Sequence, residues 1–91
     1  MLYSIEFSID AEKSLAKFKK SNSQAFKKVG KILCELAEHP RIGTGHPEQL
    51  KQYEGDVWSR HITKRDRIIY EINDTAITVL VIDLEGHYDD H

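Results

Sequence analysis

The stretch "AITVLVIDL", residues 76–84, constrains this chain more than any other. Ile77, Val79 and Val81 fall on one face of an extended strand, and Leu80, Ile82 and Leu84 on the other. A strand that is apolar on both sides belongs in the centre of a sheet, covered from above and below. The rest of the sequence has to supply its neighbours and its cover. Two shorter strand-forming runs precede it, "VWSRHI" (57–62) and "RIIYEI" (67–72). The links "TKRD" and "NDT" are short enough to close hairpins. Residues 57–84 therefore read as a three-stranded antiparallel meander.

The cover comes from the N-terminal half. "LYSIEF" (2–7) predicts a first strand. Asp10 is placed to cap a helix in which Ala11, Leu15 and Phe18 recur at helical spacing. "KKSNSQ" interrupts it, and Asn22 or Ser23 can cap a second helix. That helix carries an apolar stripe of Phe26, Val29, Ile32, Leu33 and Leu36. Gly30 weakens it by about 1 kcal/mol relative to alanine, and Pro40 stands where it should stop. The order β-α-α-β-β-β, with a helical hairpin on one face of an antiparallel sheet, is an α+β architecture. The opposite face is left for the long loop, a partner or a substrate. Residues 40–56 hold both prolines and three of the five glycines. Connections of that length in a small domain are often functional.

With 91 residues, 40% of them apolar and 31% charged, the chain reads as one globular domain spanning 1–91. No apolar run approaches the roughly 18–20 residues that cross a bilayer. The opening lacks the regions of a signal peptide, and the single Cys34 excludes an internal disulfide. A cytoplasmic protein without membrane attachment is the natural expectation. A formal net charge of −2 discourages a simple nucleic-acid binder, since phosphate contacts need cations. Distribution matters more than the sum, because residues 13–31 hold seven lysines and no acid. Arg60, Lys64, Arg65 and Arg67 form a second cluster. Phosphate-binding glycine loops, paired cysteines and HExxH are absent, and the five histidines lack metal-ligand spacing. Neither a metal nor a cofactor is expected.

What remains is a titratable set: Glu48, Lys51, Arg60, His61, Arg67, His87 and Tyr88. Alternation puts Arg60 on the face of Trp58 and Ile62, opposite His61. A carboxylate, guanidinium groups and an imidazole are the parts needed to cut a phosphodiester through a ribose 2′-hydroxyl. One group takes the 2′ proton, one stabilises the extra negative charge, and one protonates the leaving 5′ oxygen. Each residue also has a plainer reading. A loop glutamate is usually solvated, a strand arginine often covers apolar neighbours with its stem, and a terminal His-Tyr pair is often tail.

Four blocks sharpen the choice: "HPEQLK" (46–51), "WSRHI" (58–62), "RDRIIYEI" (65–72) and "GHY" (86–88). In this order and spacing they resemble the YoeB/Txe toxins of bacterial type II toxin–antitoxin modules. The resemblance implies a RelE-like fold and a ribosome-dependent endoribonuclease that cuts mRNA in the A site. It carries the general base onto Glu48, the phosphate-stabilising arginine onto Arg67, the general acid onto His87 and an orienting aromatic onto Tyr88. Lys51 and Arg60 match basic positions expected to contact RNA, as do His46 and His61. Implied partners are a YefM-like antitoxin, the ribosome and mRNA, with a homodimer left open. Three departures stand out. His61 replaces a second arginine, His46 replaces the lysine before Pro47-Glu48, and Asp89-Asp90-His91 follow Tyr88. The alternative is a different class, a non-enzymatic ParE-like inhibitor or a weakened antitoxin-binding module. Neither would need Glu48, Arg67, His87 and Tyr88 together.

Overall fold

The computed structural model describes residues 2–84. Strand β1 (Ser4–Phe7) leads into α1 (Ile9–Ser21) and α2 (Ser23–Glu38). Then come β2 (Glu48–Gln49), β3 (Asp56–His61), β4 (Arg67–Asn73) and β5 (Thr78–Asp83). The sheet order is β1-β5-β4-β3-β2. The meander is present as expected, and both helices cover one face of it. Two strand pairings differ from the sequence expectation. The N-terminal strand joins parallel to β5, so the sheet is mixed. A fifth strand, β2, lies inside the long loop and pairs antiparallel with β3.

Local sequence explains each junction. Ser8, not Asp10, caps α1, its Oγ accepting from the Ala11 amide at 3.0 Å. Asp10 instead falls in the first turn with Glu12, where the helix dipole favours acids. Asn22 serves both helices at once. Its own N–H donates to Phe18 at 2.9 Å and closes α1, while its Oδ1 accepts from Ala25 at 3.1 Å and opens α2. One residue is therefore the whole hairpin turn.

Ala11, Phe18, Ala25, Val29, Ile32 and Leu36 pack from the helices onto Ile62, Ile68, Tyr70, Ile72, Val79, Val81 and Leu84. β5 lies between two strands but is not central, since β4 holds the middle. Nor is it dry on both sides. Val79 and Val81 are fully buried, whereas Leu80 and Ile82 are half-buried. Leu84, which simple alternation assigns to the Leu80 side, is also fully buried in the helix-facing core. The cause is a bulge. Tyr70 pairs with Val81 and Ile69 with Asp83, so Ile82 is an extra residue that rotates the strand end. Its freed carbonyl accepts from the Ser8 hydroxyl at 2.6 Å.

Gly30 is exposed on α2, and a methyl group there would meet nothing within 4 Å. Gly30→Ala should therefore stabilise the fold by about 0.5–1 kcal/mol. The check is a higher urea midpoint with an unchanged slope.

Candidate active site

The helix-free face of the sheet collects four of the candidate residues. Glu48 lies opposite Ser59, and His61 lies opposite Arg67. Directly paired residues share a face, and so do Ser59 and His61, two apart on one strand. Glu48, His61 and Arg67 therefore point to the same side. Strand spacing and rise put the Glu48 and Arg67 Cα atoms roughly 12 Å apart, a gap that two long side chains can close around one phosphodiester. His46 joins them from the loop, its ring centroid 6.4 Å from that of His61 and nearly perpendicular to it. His46 has a left-handed backbone, φ 55°. That is uncommon outside glycine and recurs at functional sites. Val57, Ser59 and Ile69 on this face are each only 2% exposed, which gives the site a dry floor.

Charge in this cluster is available to a ligand. Glu48 is exposed and Arg67 half-buried, and neither has a hydrogen bond or ion pair among the described residues. An unengaged guanidinium presents a fork that matches phosphate oxygens. Partial burial, then the positive charges of Arg67, His46 and Lys28, hold the His61 imidazole below its ordinary value of 6.5, with Glu48 pulling the other way. His61 therefore adds a neutral ring, not a cation, at neutral pH. Lys51 is exposed in the turn just after β2. His87 and Tyr88 lie outside the described residues, as does the Asp89-Asp90-His91 tail.

Arg60 is a correction. Expected to contact RNA, it is 0% exposed and points into the helix-covered side. All five of its donors are used inside the protein. Nε donates to the Tyr70 hydroxyl at 3.0 Å. Nη1 donates to Glu35 at 2.8 Å and to the Thr44 carbonyl at 3.4 Å. Nη2 donates to the carbonyls of His39 at 3.0 Å and Ile42 at 2.8 Å. Burial works against the Glu35 carboxylate, but the Thr44 hydroxyl and amide and the Arg60 guanidinium together hold it below the usual range. A signal for this was already in the sequence. Alternation with Trp58 and Ile62 put Arg60 on the core face, and a buried arginine needs a carboxylate partner.

A cleft of about 600 Å³ opens elsewhere, between the α1–α2 turn and the β3–β4 hairpin. Lys17, Phe18, Lys64 and Arg65 line it, and none of the candidate residues does. Among the described residues no group of three or more His, Cys, Asp or Glu could hold a metal ion. No described helix is long and apolar enough to cross a membrane.

Comparison with known proteins identifies the family and the fold. The model of a family described as YoeB-like toxins of bacterial type II toxin–antitoxin systems matches residues 7–88. Toxin YoeB of Synechocystis sp. is 31% identical over 71 residues, 78% of this chain and 80% of that protein. Among solved structures, a YoeB/ParE toxin from Agrobacterium tumefaciens has a TM-score of 0.85 at 23% identity, over 93% of this chain and 99% of that one, and shares the fold. A chain of the YoeB-YefM complex from Staphylococcus aureus has a TM-score of 0.80 at 27% identity, over 97% of this chain and 100% of that one.

Two outcomes follow from the geometry. Arg60→Ala strands the Glu35 carboxylate and three loop carbonyls, and should destabilise the fold by about 3–5 kcal/mol in urea unfolding, beyond any change in RNA affinity. The depressed His61 value makes the folded state bind fewer protons than the unfolded chain. Its contribution to stability is thus complete above the ordinary histidine range and lost as pH falls below about 6.5. An NMR titration should place the His61 midpoint below that of free histidine, and Arg67→Gln should move it up.

Proposed function

The chain belongs to the YoeB-like toxins of bacterial type II toxin–antitoxin systems, and from that premise we propose that it is an endoribonuclease cutting ribosome-bound mRNA in the A site. The observation that carries this reading is the shared face of Glu48, His61 and Arg67, held in register by β2, β3 and β4. A non-enzymatic inhibitor has no need of a carboxylate and an arginine facing one spot, each without a partner among the described residues.

In the proposed reaction the Glu48 carboxylate removes the ribose 2′ proton, and the 2′ oxygen attacks the adjacent phosphorus. Arg67 stabilises the negative charge that builds on the non-bridging oxygens. His87 protonates the departing 5′ oxygen, leaving a 2′,3′-cyclic phosphate and a free 5′-hydroxyl. Tyr88 orients the substrate, Lys51 attracts the backbone phosphates, and the His46–His61 pair borders the phosphate. No metal or cofactor is required by these steps. The partner holding the toxin inactive is a YefM-like antitoxin, by analogy with the S. aureus complex. An acidic segment that folds on binding would suit the lysines of residues 13–31.

The chain freed of antitoxin should cut a defined mRNA on ribosomes within the A-site codon. Glu48→Gln should slow the cut by about 10²–10⁴-fold, and Arg67→Ala by about 10²–10³-fold. Equal cutting of naked mRNA, or full activity in both variants, would refute the proposal.

A further inference from the structure

Glu48 sits on a strand of two residues at the sheet edge, paired with Ser59 and Trp58 of β3 and flanked by the His61 amide donating to Gly45 at 2.7 Å and the Leu50 amide donating to Val57 at 2.8 Å. These bonds hold the ribbon by one edge, and a roll about that edge would swing Glu48 away from the phosphate. What further opposes the roll lies on the other face of the sheet. Gln49 follows Glu48 and points to the opposite side, and its Nε2 donates to Asp56 Oδ1 at 3.0 Å. Asp56 is itself fixed. The same Oδ1 accepts from the Trp58 indole at 2.7 Å, and Oδ2 accepts from Arg41 at 2.5 Å. Arg41 also reaches Asp74 at 2.9 Å, whose other oxygen accepts from the Tyr3 hydroxyl at 2.6 Å. One carboxylate thus ties the edge strand to β3, to the long loop and, through Arg41, to the β4–β5 turn and the N-terminal segment.

We propose that Asp56 is a positioning residue that aims Glu48 by clamping Gln49 from the back of the sheet. Asp56 and Arg41 are both partly exposed, with side chains 29% and 38% accessible. Such a pair adds little stability, so the value of the network lies in direction rather than strength. Placement matters to a base, because a shift of about 1 Å in a reacting group can cost on the order of 100-fold in rate. Asp56 and Gln49 touch neither RNA nor the reacting atoms on this view. Their effect passes entirely through Glu48.

The inference rests on the proposed role of Glu48 as base, and its test separates the two. Single-turnover cutting of ribosome-bound mRNA and affinity for ribosomes would be measured for Gln49→Leu, Asp56→Ala and Asp56→Asn, each alone and combined with Glu48→Gln. Gln49→Leu and Asp56→Ala should slow cutting by about 10–100-fold with affinity unchanged. Asp56→Asn, which keeps an acceptor for Gln49 and Trp58, should recover most of the rate. In the Glu48→Gln background none of the three should slow the residual reaction further. Full rate in Gln49→Leu, or equal losses with and without Glu48, would overturn the inference. Should Glu48→Gln itself cut at the normal rate, the functional reading fails instead. The clamp is then read from hydrogen exchange of the Leu50 amide, which donates to the Val57 carbonyl at 2.8 Å where β2 leaves the sheet. It should exchange faster in Gln49→Leu and Asp56→Ala but not in Asp56→Asn, and unchanged exchange in all three would dismiss the clamp.

Discussion

The structure depends on a charge that never meets solvent. Arg60, 0% exposed, spends every N–H on the end of α2, the segment after it and β4. Residues 39–44 form no helix or strand, and within them only a long Ile42 amide to His39 carbonyl bond of 3.4 Å is made, so the carbonyls of His39, Ile42 and Thr44 rely on Arg60. A guanidinium is suited to this, because its planar fork reaches several acceptors at once where an ammonium would act as a point charge. Glu35 balances the charge and also accepts from the Thr44 amide at 2.8 Å and its hydroxyl at 2.7 Å. Burial pushes the Tyr70 phenol up. It therefore stays protonated, accepting from Arg60 while donating to the Pro40 carbonyl at 2.9 Å. Gly43 is part of the same design. With φ 127°, a Cβ there would lie 2.3 Å from Glu35 Oε1.

That interior knot sets up the exterior site through a short run of chain. The segment held by Arg60 continues into Gly45, whose carbonyl accepts from the His61 amide at 2.7 Å. His46, Pro47 and Glu48 follow at once, already lying along β3. Arg60 and His61 are neighbours on one strand with opposite fates. One locks the segment from the core side, and the other lines the face that the segment completes. A loss at Arg60 would therefore look like a loss of activity while arising from displacement of Glu48 and His46.

How legible this was depended on whether a signal was periodic. The apolar stripe of α2 and the β-branched runs of β4 and β5 span enough residues to declare their period, and the structure follows them except at the ends of β5, where Ile77 lies in the preceding turn with φ 57° and Leu84 changes face. β2 is only Glu48–Gln49, too short for any alternation, so it was hidden inside a loop rich in glycine and proline. Ser8 displaced Asp10 as the cap because its hydroxyl also serves the Ile82 carbonyl, a contact 74 residues away in sequence. The bulge that turns Leu84 inward leaves no trace in composition. Among the site residues, Glu48 and Arg67 stood out as titratable groups and took their roles from resemblance, while their common face came only from the strand register. Arg60 was misassigned because the resemblance carried an RNA-contacting position onto it against its place in the pattern. Alternation had already put it with Trp58 and Ile62.

The pairing of His61 with Arg67 has a consequence for how such a face meets RNA. Two fixed cations side by side would repel each other in the empty site and attract phosphate at any distance within the screening length. With His61 held neutral by burial and by Arg67 itself, that repulsion is relieved and long-range attraction falls to Arg67, Lys51 and the helix lysines. A phosphate arriving between them brings the opposite charge next to the imidazole and favours its protonated form. On the proposed function, His61 then gains its charge in the complex, where it binds the substrate, rather than before it, where it would steer. The free toxin carries less local charge strain, and the affinity of the site for phosphate rises as pH falls toward the depressed His61 value. A second arginine at this position would give neither effect.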